Sequence, residues 1–130
     1  ILLGRMPTTR EAKRLGITHV VDLSAELSSP GGVAVQAVPM LDLVAPDAAQ
    51  LRVAAEAIEA QRLAAGDTGT VLVCCALGYS RSAAAAAAWL LHTGRAERVD
   101  EAIERLRRER PNVVLYDAHR LALASLALHP

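Results

Sequence analysis

The sequence predicts one α/β domain, a central mixed or parallel sheet flanked by helices on both faces. Three observations predict it. Short β-branched apolar runs alternate along the chain with helical stretches, the pattern of strands joined by crossover helices. Apolar residues make up 52% of 130 residues, enough for one core and too much for a disordered or disulfide-built chain. The run TVLVCC (70–75) passes through a glycine-bearing turn straight into an alanine-rich stretch, which reads as strand, loop, helix.

The elements follow in order. ILLGRM (1–6) reads as a short strand, and Pro7-Thr8-Thr9 opens a helix that runs through Leu15 and stops at Gly16. THVVDLS (18–24) is a buried strand, SSPGG (28–32) a loop, and VAVQAV (33–38) a strand ended by Pro39. Pro46-Asp47 starts a helix over 48–65 that places Leu51, Ala55, Ile58 and Arg62 on one stripe, closed by Gly66-Asp67-Thr68-Gly69. After the strand 70–75, the spacing predicts a helix from Ser82 to Leu91. VDEAIERLRRERP (99–111) predicts an amphipathic helix with Val99, Ile103 and Leu106 inward. YDAHRLALASLAL (116–128) predicts a last helix. There is no internal repeat or linker, so residues 1–130 read as one domain, and its start on Ile1 suggests one cut from a longer chain.

Composition excludes several classes of function. Fourteen basic residues balance fourteen acidic ones, so there is no net positive field of the kind a general nucleic-acid binder needs. The two cysteines are adjacent, too close for a relaxed disulfide, and point to a reducing, cytoplasmic setting. No signal peptide is visible, and Arg81 interrupts the best apolar run, leaving no transmembrane segment. His19, His92, His119 and His129 are scattered without metal-ligand spacing, and neither metal nor cofactor is expected.

The chemistry concentrates after the strand 70–75. A turn leading into a helix start gathers inward-pointing amides at the positive end of the helix dipole, which suits an anion. Here the turn is Ala76-Leu77-Gly78-Tyr79-Ser80, with Gly78 letting the backbone approach closely. Arg81 follows, a planar fork matching two phosphoryl oxygens. Cys75 lies at the base of this cradle. The same amides favour its thiolate, which is placed for in-line attack on a bound phosphate. Strand alternation turns Cys74 to the opposite side, as a packed strand residue. Asp22 reads as a loop cap, Tyr79 either lines the mouth or covers the helix end, and RLRRER (105–110) reads as a solvated helix face.

Cys75-x5-Arg81-Ser82 resembles the signature loop of the cysteine-dependent protein tyrosine and dual-specificity phosphatases, and CALGYSRS resembles the dual-specificity branch, as found in bacterial domains of this kind. The resemblance extends from LGRMPT through HVVDLS and PMLDL to Pro111. It implies a phosphatase-type architecture and a phosphocysteine intermediate. It also implies an acid on an upstream loop that protonates the leaving oxygen and then activates water. Asp42, 33 residues before Cys75, matches that acid, and it is preferred to Asp47, which reads as helix-start chemistry. Ser82 matches the hydroxyl that eases departure of the cysteine sulfur. One departure from the family is Cys74, which stands where a histidine is usual.

The resemblance leaves three readings of substrate. The first is a protein phosphatase acting on phosphotyrosine, phosphoserine and phosphothreonine. The second is a lipid phosphatase acting on a monoester such as phosphatidylglycerophosphate. The third is a phosphate-binding module without turnover, which intact Cys75, Arg81 and Asp42 oppose. CALGYSR carries no Lys or His, against polyphosphorylated inositol heads, and AELSSPGGV (25–33) supplies no aromatic wall, so a shallow cleft is expected. A sulfur-carrier (rhodanese) reading ranks last, because its loop length differs and it has no use for Asp42. Bacterial relatives joined to a membrane-embedded phosphatase-like domain make a similar fusion conceivable for the parent chain.

Overall fold

A computed structural model describes residues 1–24, 31–40, 46–75, 80–113 and 115–128. Its elements are β1 (Leu2–Arg5), α1 (Thr9–Arg14), β2 (His19–Asp22), β3 (Ala34–Ala37), α2 (Ala48–Ala65), β4 (Val71–Cys75), α3 (Arg81–His92), α4 (Val99–Glu109) and α5 (Asp117–Leu128). The strands form one sheet in the order β1-β4-β2-β3, and every pairing among them is parallel. Of the mixed and parallel alternatives, the described strands take the parallel one.

β4 is interior, hydrogen-bonded to β1 on one side and β2 on the other, and all five of its residues are buried. Burial on both faces is why VLVCC carries no polar residue. Its side chains alternate between two apolar layers. Val71, Val73 and Cys75 face the larger one, shared with α2, α3, α4 and α5. Leu72 and Cys74 face the smaller one, with Met6, Ala12 of α1, Ile17 and Val20. Helices therefore cover both faces, but unequally.

α3 is buried along nearly its whole length, Ala83 to Ala88 included. Alanine at six consecutive positions lets this helix approach the sheet and its helical neighbours closely, and it fixes the helix start beside the end of β4. α1 and α2 each open with a capping box, Thr8 with Glu11 and Asp47 with Gln50, which satisfies two of the orphan amides at each start.

Some boundaries differ from expectation. β2 ends at Asp22 rather than Ser24: Leu23 still bonds both flanking segments through its amide and carbonyl, but the Ser24 amide turns to the Asp22 carboxylate. α3 begins at Arg81, one residue before Ser82. On α2 the buried stripe ends at Ile58, since Arg62 turns to pair with Glu59 at 2.6 Å. In the run 105–110, Arg110 does not point into water. Its guanidinium donates to the Leu3 carbonyl at the exposed edge of β1. No helix among the described residues is long and apolar enough to cross a membrane.

Candidate active site

Cys75 is the last residue of β4, and its thiol lies in the larger apolar layer with 3% of its surface exposed. Two backbone bonds hold the end of this strand. The Met6 amide donates to the Cys75 carbonyl at 3.0 Å, and the Leu23 amide donates to the Cys74 carbonyl at 2.9 Å. The thiol therefore projects from a part of the sheet that is pinned from both neighbouring chain segments.

The chain returns at Ser80 and enters α3 at Arg81. Ser80 occupies the N-cap without a side-chain cap bond, so its hydroxyl leaves the first-turn amides of α3 to other acceptors. Ser82, fully buried in that first turn, brings its Oγ to 3.5 Å from Cys75 Sγ, and the thiol donates to the hydroxyl oxygen. On ionisation the direction reverses. The hydroxyl then donates to the sulfur and favours its charged form.

Arg81 is 3% exposed, and its Nη1 donates to the Met40 carbonyl at 3.0 Å. Met40 is itself placed by its amide, which donates to the Leu23 carbonyl at 3.0 Å. The guanidinium is thus held over the sheet end, tied to the segment immediately ahead of Asp42. Asp42 itself lies outside the described residues, as do Ala76, Leu77, Gly78 and Tyr79. Of the residues the sequence singled out, the structure brings Cys75 and Ser82 together and sets Arg81 one position before Ser82, at the start of α3.

Two competing readings find structural explanations. Asp47 is exposed and acts as the N-cap of α2. Its carboxylate accepts from the Gln50 amide at 2.8 Å, and Gln50 Oε1 accepts from its amide at 2.9 Å. Cys74 points away from Cys75, with its thiol 3.9 Å from Met6 Sδ. Burial pushes the Cys74 thiol up to about 12, and the nearby charges of Asp22 and Cys75 act in the same direction. It is a neutral packing group.

Asp22 caps the loop after β2, as its place at the strand end implies, and does so from a buried position. It is 5% exposed, and one oxygen accepts from both the amide and the hydroxyl of Ser24, at 2.9 and 2.7 Å. Strand alternation puts it on the Cys74 side of the sheet. A charged residue directly after the apolar pair Val20-Val21 is the visible signal in the sequence.

A thiol at the end of an interior parallel strand, a hydroxyl within reach of its sulfur and a buried guanidinium at the start of the next helix form a candidate site for a cysteine-dependent phosphatase on an α/β sheet. The sequence model of the dual specificity phosphatase catalytic domain matches residues 1–126, and the chain belongs to that family. No curated protein sequence gives a significant match. Among solved structures it is similar to Tk-PTP in the active form, with 30% identity and a TM-score of 0.81 over 97% of this chain and 90% of that one. It is also similar to human DUSP28, with 28% identity and a TM-score of 0.80 over 98% of this chain and 90% of that one. PTPMT1, at 24% identity and a TM-score of 0.78 over 97% of this chain and 88% of that one, shares the fold. The chain is an enzyme, a cysteine-dependent phosphatase.

Proposed function

We propose that this domain hydrolyses phosphomonoesters on protein side chains, phosphotyrosine together with phosphoserine and phosphothreonine. The observation that carries the mechanism is the Cys75 Sγ to Ser82 Oγ approach of 3.5 Å at the end of β4, with Arg81 beside it. In the first step the Cys75 thiolate attacks phosphorus, and a sulfur–phosphorus bond forms as the bond to the ester oxygen breaks. Arg81 and the amides of 76–81 hold the three equatorial oxygens. Asp42 gives its proton to the leaving oxygen. In the second step Asp42 takes a proton from water, which attacks phosphorus, and Ser82 donates to the departing thiolate.

The preference for protein substrates is supported by likeness to Tk-PTP and DUSP28 at 30% and 28% identity. PTPMT1, solved in complex with PI(5)P, is similar at 22%, a level that speaks for the fold alone. A loop CALGYSR without Lys or His also gives a multiply phosphorylated head no extra cation.

The test is phosphate release by the purified domain from p-nitrophenyl phosphate beside Cys75→Ser, without metal and with a reductant. A matched panel of phosphopeptides and phosphatidylglycerophosphate vesicles follows. Turnover that disappears in Cys75→Ser and is fastest on phosphopeptides is expected. Turnover that survives in Cys75→Ser overturns the nucleophile, and preference for the vesicles overturns the substrate class.

A further inference from the structure

Burying a carboxylate is unfavourable unless its oxygens are bonded, so a buried Asp at a strand end calls for a reason beyond packing. Asp22 sits on the Cys74 side of β2, away from the face that carries Cys75, and so is not aimed at the reacting sulfur. What it does control is the corner 22–24. One carboxylate oxygen holds both the amide and the hydroxyl of Ser24, which turns the chain at Ser24, one residue past the last ladder bonds of Leu23.

Three backbone bonds leave from that corner, and they run to both halves of the catalytic apparatus. The Leu23 amide donates to the Cys74 carbonyl at 2.9 Å, one residue before the nucleophile. The Asp22 carbonyl accepts from the Val38 amide at 2.8 Å, and the Leu23 carbonyl accepts from the Met40 amide at 3.0 Å. Met40 precedes the segment that carries Asp42, and its own carbonyl receives Arg81 Nη1. The 22–24 corner is therefore a two-sided clamp, with the strand of the thiol on one side and the root of the acid-bearing segment on the other.

We propose that Asp22 is a positioning residue that sets the acid-bearing segment in register with the nucleophile by locking the 22–24 corner through Ser24. The inference rests on the reading of Cys75 as nucleophile and Asp42 as acid. An aspartate suits the task because it is short, accepts two donors at one oxygen, and takes N–H and O–H from a residue two positions ahead while the Leu23 bonds to both flanking segments remain. Loss of the lock frees the corner to relax, and Met40 moves relative to Cys74. A displacement of this order matters chiefly for proton transfer, because delivery of a proton requires hydrogen-bond reach.

This gives Asp22 a kinetic signature. A substrate with a poor leaving group depends on the acid, and one with a good leaving group depends on it little. The experiment compares the wild-type domain, Asp22→Ala, Asp22→Asn and Ser24→Ala on a series of aryl phosphates of rising leaving-group pKa. Melting is followed by the fluorescence of Trp89, the single tryptophan. In Asp22→Ala, kcat/KM is expected to fall about threefold for p-nitrophenyl phosphate and about a hundredfold for phenyl phosphate, with KM little changed. Asp22→Asn keeps an acceptor oxygen and is expected to restore the series to within about threefold of wild type. Ser24→Ala keeps the amide bond and is expected to fall between them.

An equal loss across the series in Asp22→Ala would overturn the proposal, as would failure of Asp22→Asn to restore activity while melting like wild type. If Asp22→Ala does not fold, the slope of the series in Asp22→Asn against Ser24→Ala decides in its place. A shallower slope in Ser24→Ala than in Asp22→Asn overturns the lock. Wild-type turnover that persists in Cys75→Ser would instead remove the underlying mechanism, a separate and recognisable failure.

Discussion

Arg81 Nη1 donates to the carbonyl of Met40 at 3.0 Å, across 41 residues of sequence. This bond joins the start of α3, where phosphate binds in the proposed mechanism, to the segment that leads to the proposed acid. A buried guanidinium satisfied partly by a backbone carbonyl can exchange donors with an incoming phosphoryl group at small cost, because its planar fork presents several N–H groups at fixed angles.

Arg81→Lys keeps the charge and removes the fork. It is expected to lower kcat/KM for p-nitrophenyl phosphate by about a hundredfold and to weaken inhibition by inorganic phosphate in parallel. Arg81→Ala leaves the Met40 carbonyl without this donor and should in addition destabilise the fold by about 1–3 kcal/mol. Steady-state kinetics with phosphate as competitor, and thermal melts of both variants, check the two effects separately.

Asp42 and Asp47 are separated by their jobs. Asp47 is committed to Gln50 in the cap of α2. Asp47→Ala should cost about 1 kcal/mol of stability and leave kcat within about twofold, whereas Asp42→Ala should lower kcat by about 10²–10⁴ with substrate binding preserved. The basic limb of the pH profile of kcat, where the acid must still hold its proton, should disappear in Asp42→Ala alone. Its disappearance in Asp47→Ala would reassign the acid.

Cys74, raised to about 12 mainly by burial, stays protonated at neutral pH. Alkylation with iodoacetate at neutral pH, read by fragment masses of the peptide holding both cysteines, is expected to label Cys75 alone. Cys74→Ala should keep kcat within about threefold and lower the melting temperature modestly, since only a small packed group beside Met6 is lost. A large loss of kcat with unchanged melting would show that this position tunes the nucleophile despite lacking the family's usual histidine.

What was legible in the sequence was local. Cys75, Arg81 and Ser82 lie within eight residues and match the family's signature by spacing, and Asp47 with Gln50 reads as a helix start because capping is decided within one turn. The alternation in VLVCC separated Cys74 from Cys75 correctly, since pleating alone decides it. Contacts between distant segments were not legible. Nothing near Arg81 names Met40 as its partner, nothing near Arg110 names Leu3 of β1, and the end of β2 at Asp22 depends on a side chain outcompeting the ladder. Arg62 shows the same limit from the other side. Its position continued the apolar stripe of α2, yet Glu59, three residues away, offered a better partner than the core.

That Arg62–Glu59 pair makes the fold sensitive to acid. Two Arg62 nitrogens bond the Glu59 carboxylate at 2.6 and 3.0 Å, and Trp89 Nε1 donates to it at 3.1 Å, with Arg95 stacked 4.5 Å over the indole. The Arg62 bonds lead in bringing the Glu59 carboxyl down from the ordinary 4.5 to about 2, and the Trp89 bond adds to them against the opposing effect of burial. A carboxylate with a depressed folded-state pKa stabilises the fold in full above its unfolded value. That contribution fades as pH falls from about 4.5 and is gone below about 2. The pair is partly solvated, so the gain is about 1 kcal/mol rather than the full linkage value. Glu59→Gln should therefore melt below wild type by a constant margin from neutral pH down to about pH 5, and the two curves should converge between pH 4.5 and 2. Thermal melts across that range, read by Trp89 fluorescence and circular dichroism, decide it. A margin that persists at pH 2 would mean that the substituted amide packs poorly and that the charge of Glu59 is not what stabilises this edge of the helical layer.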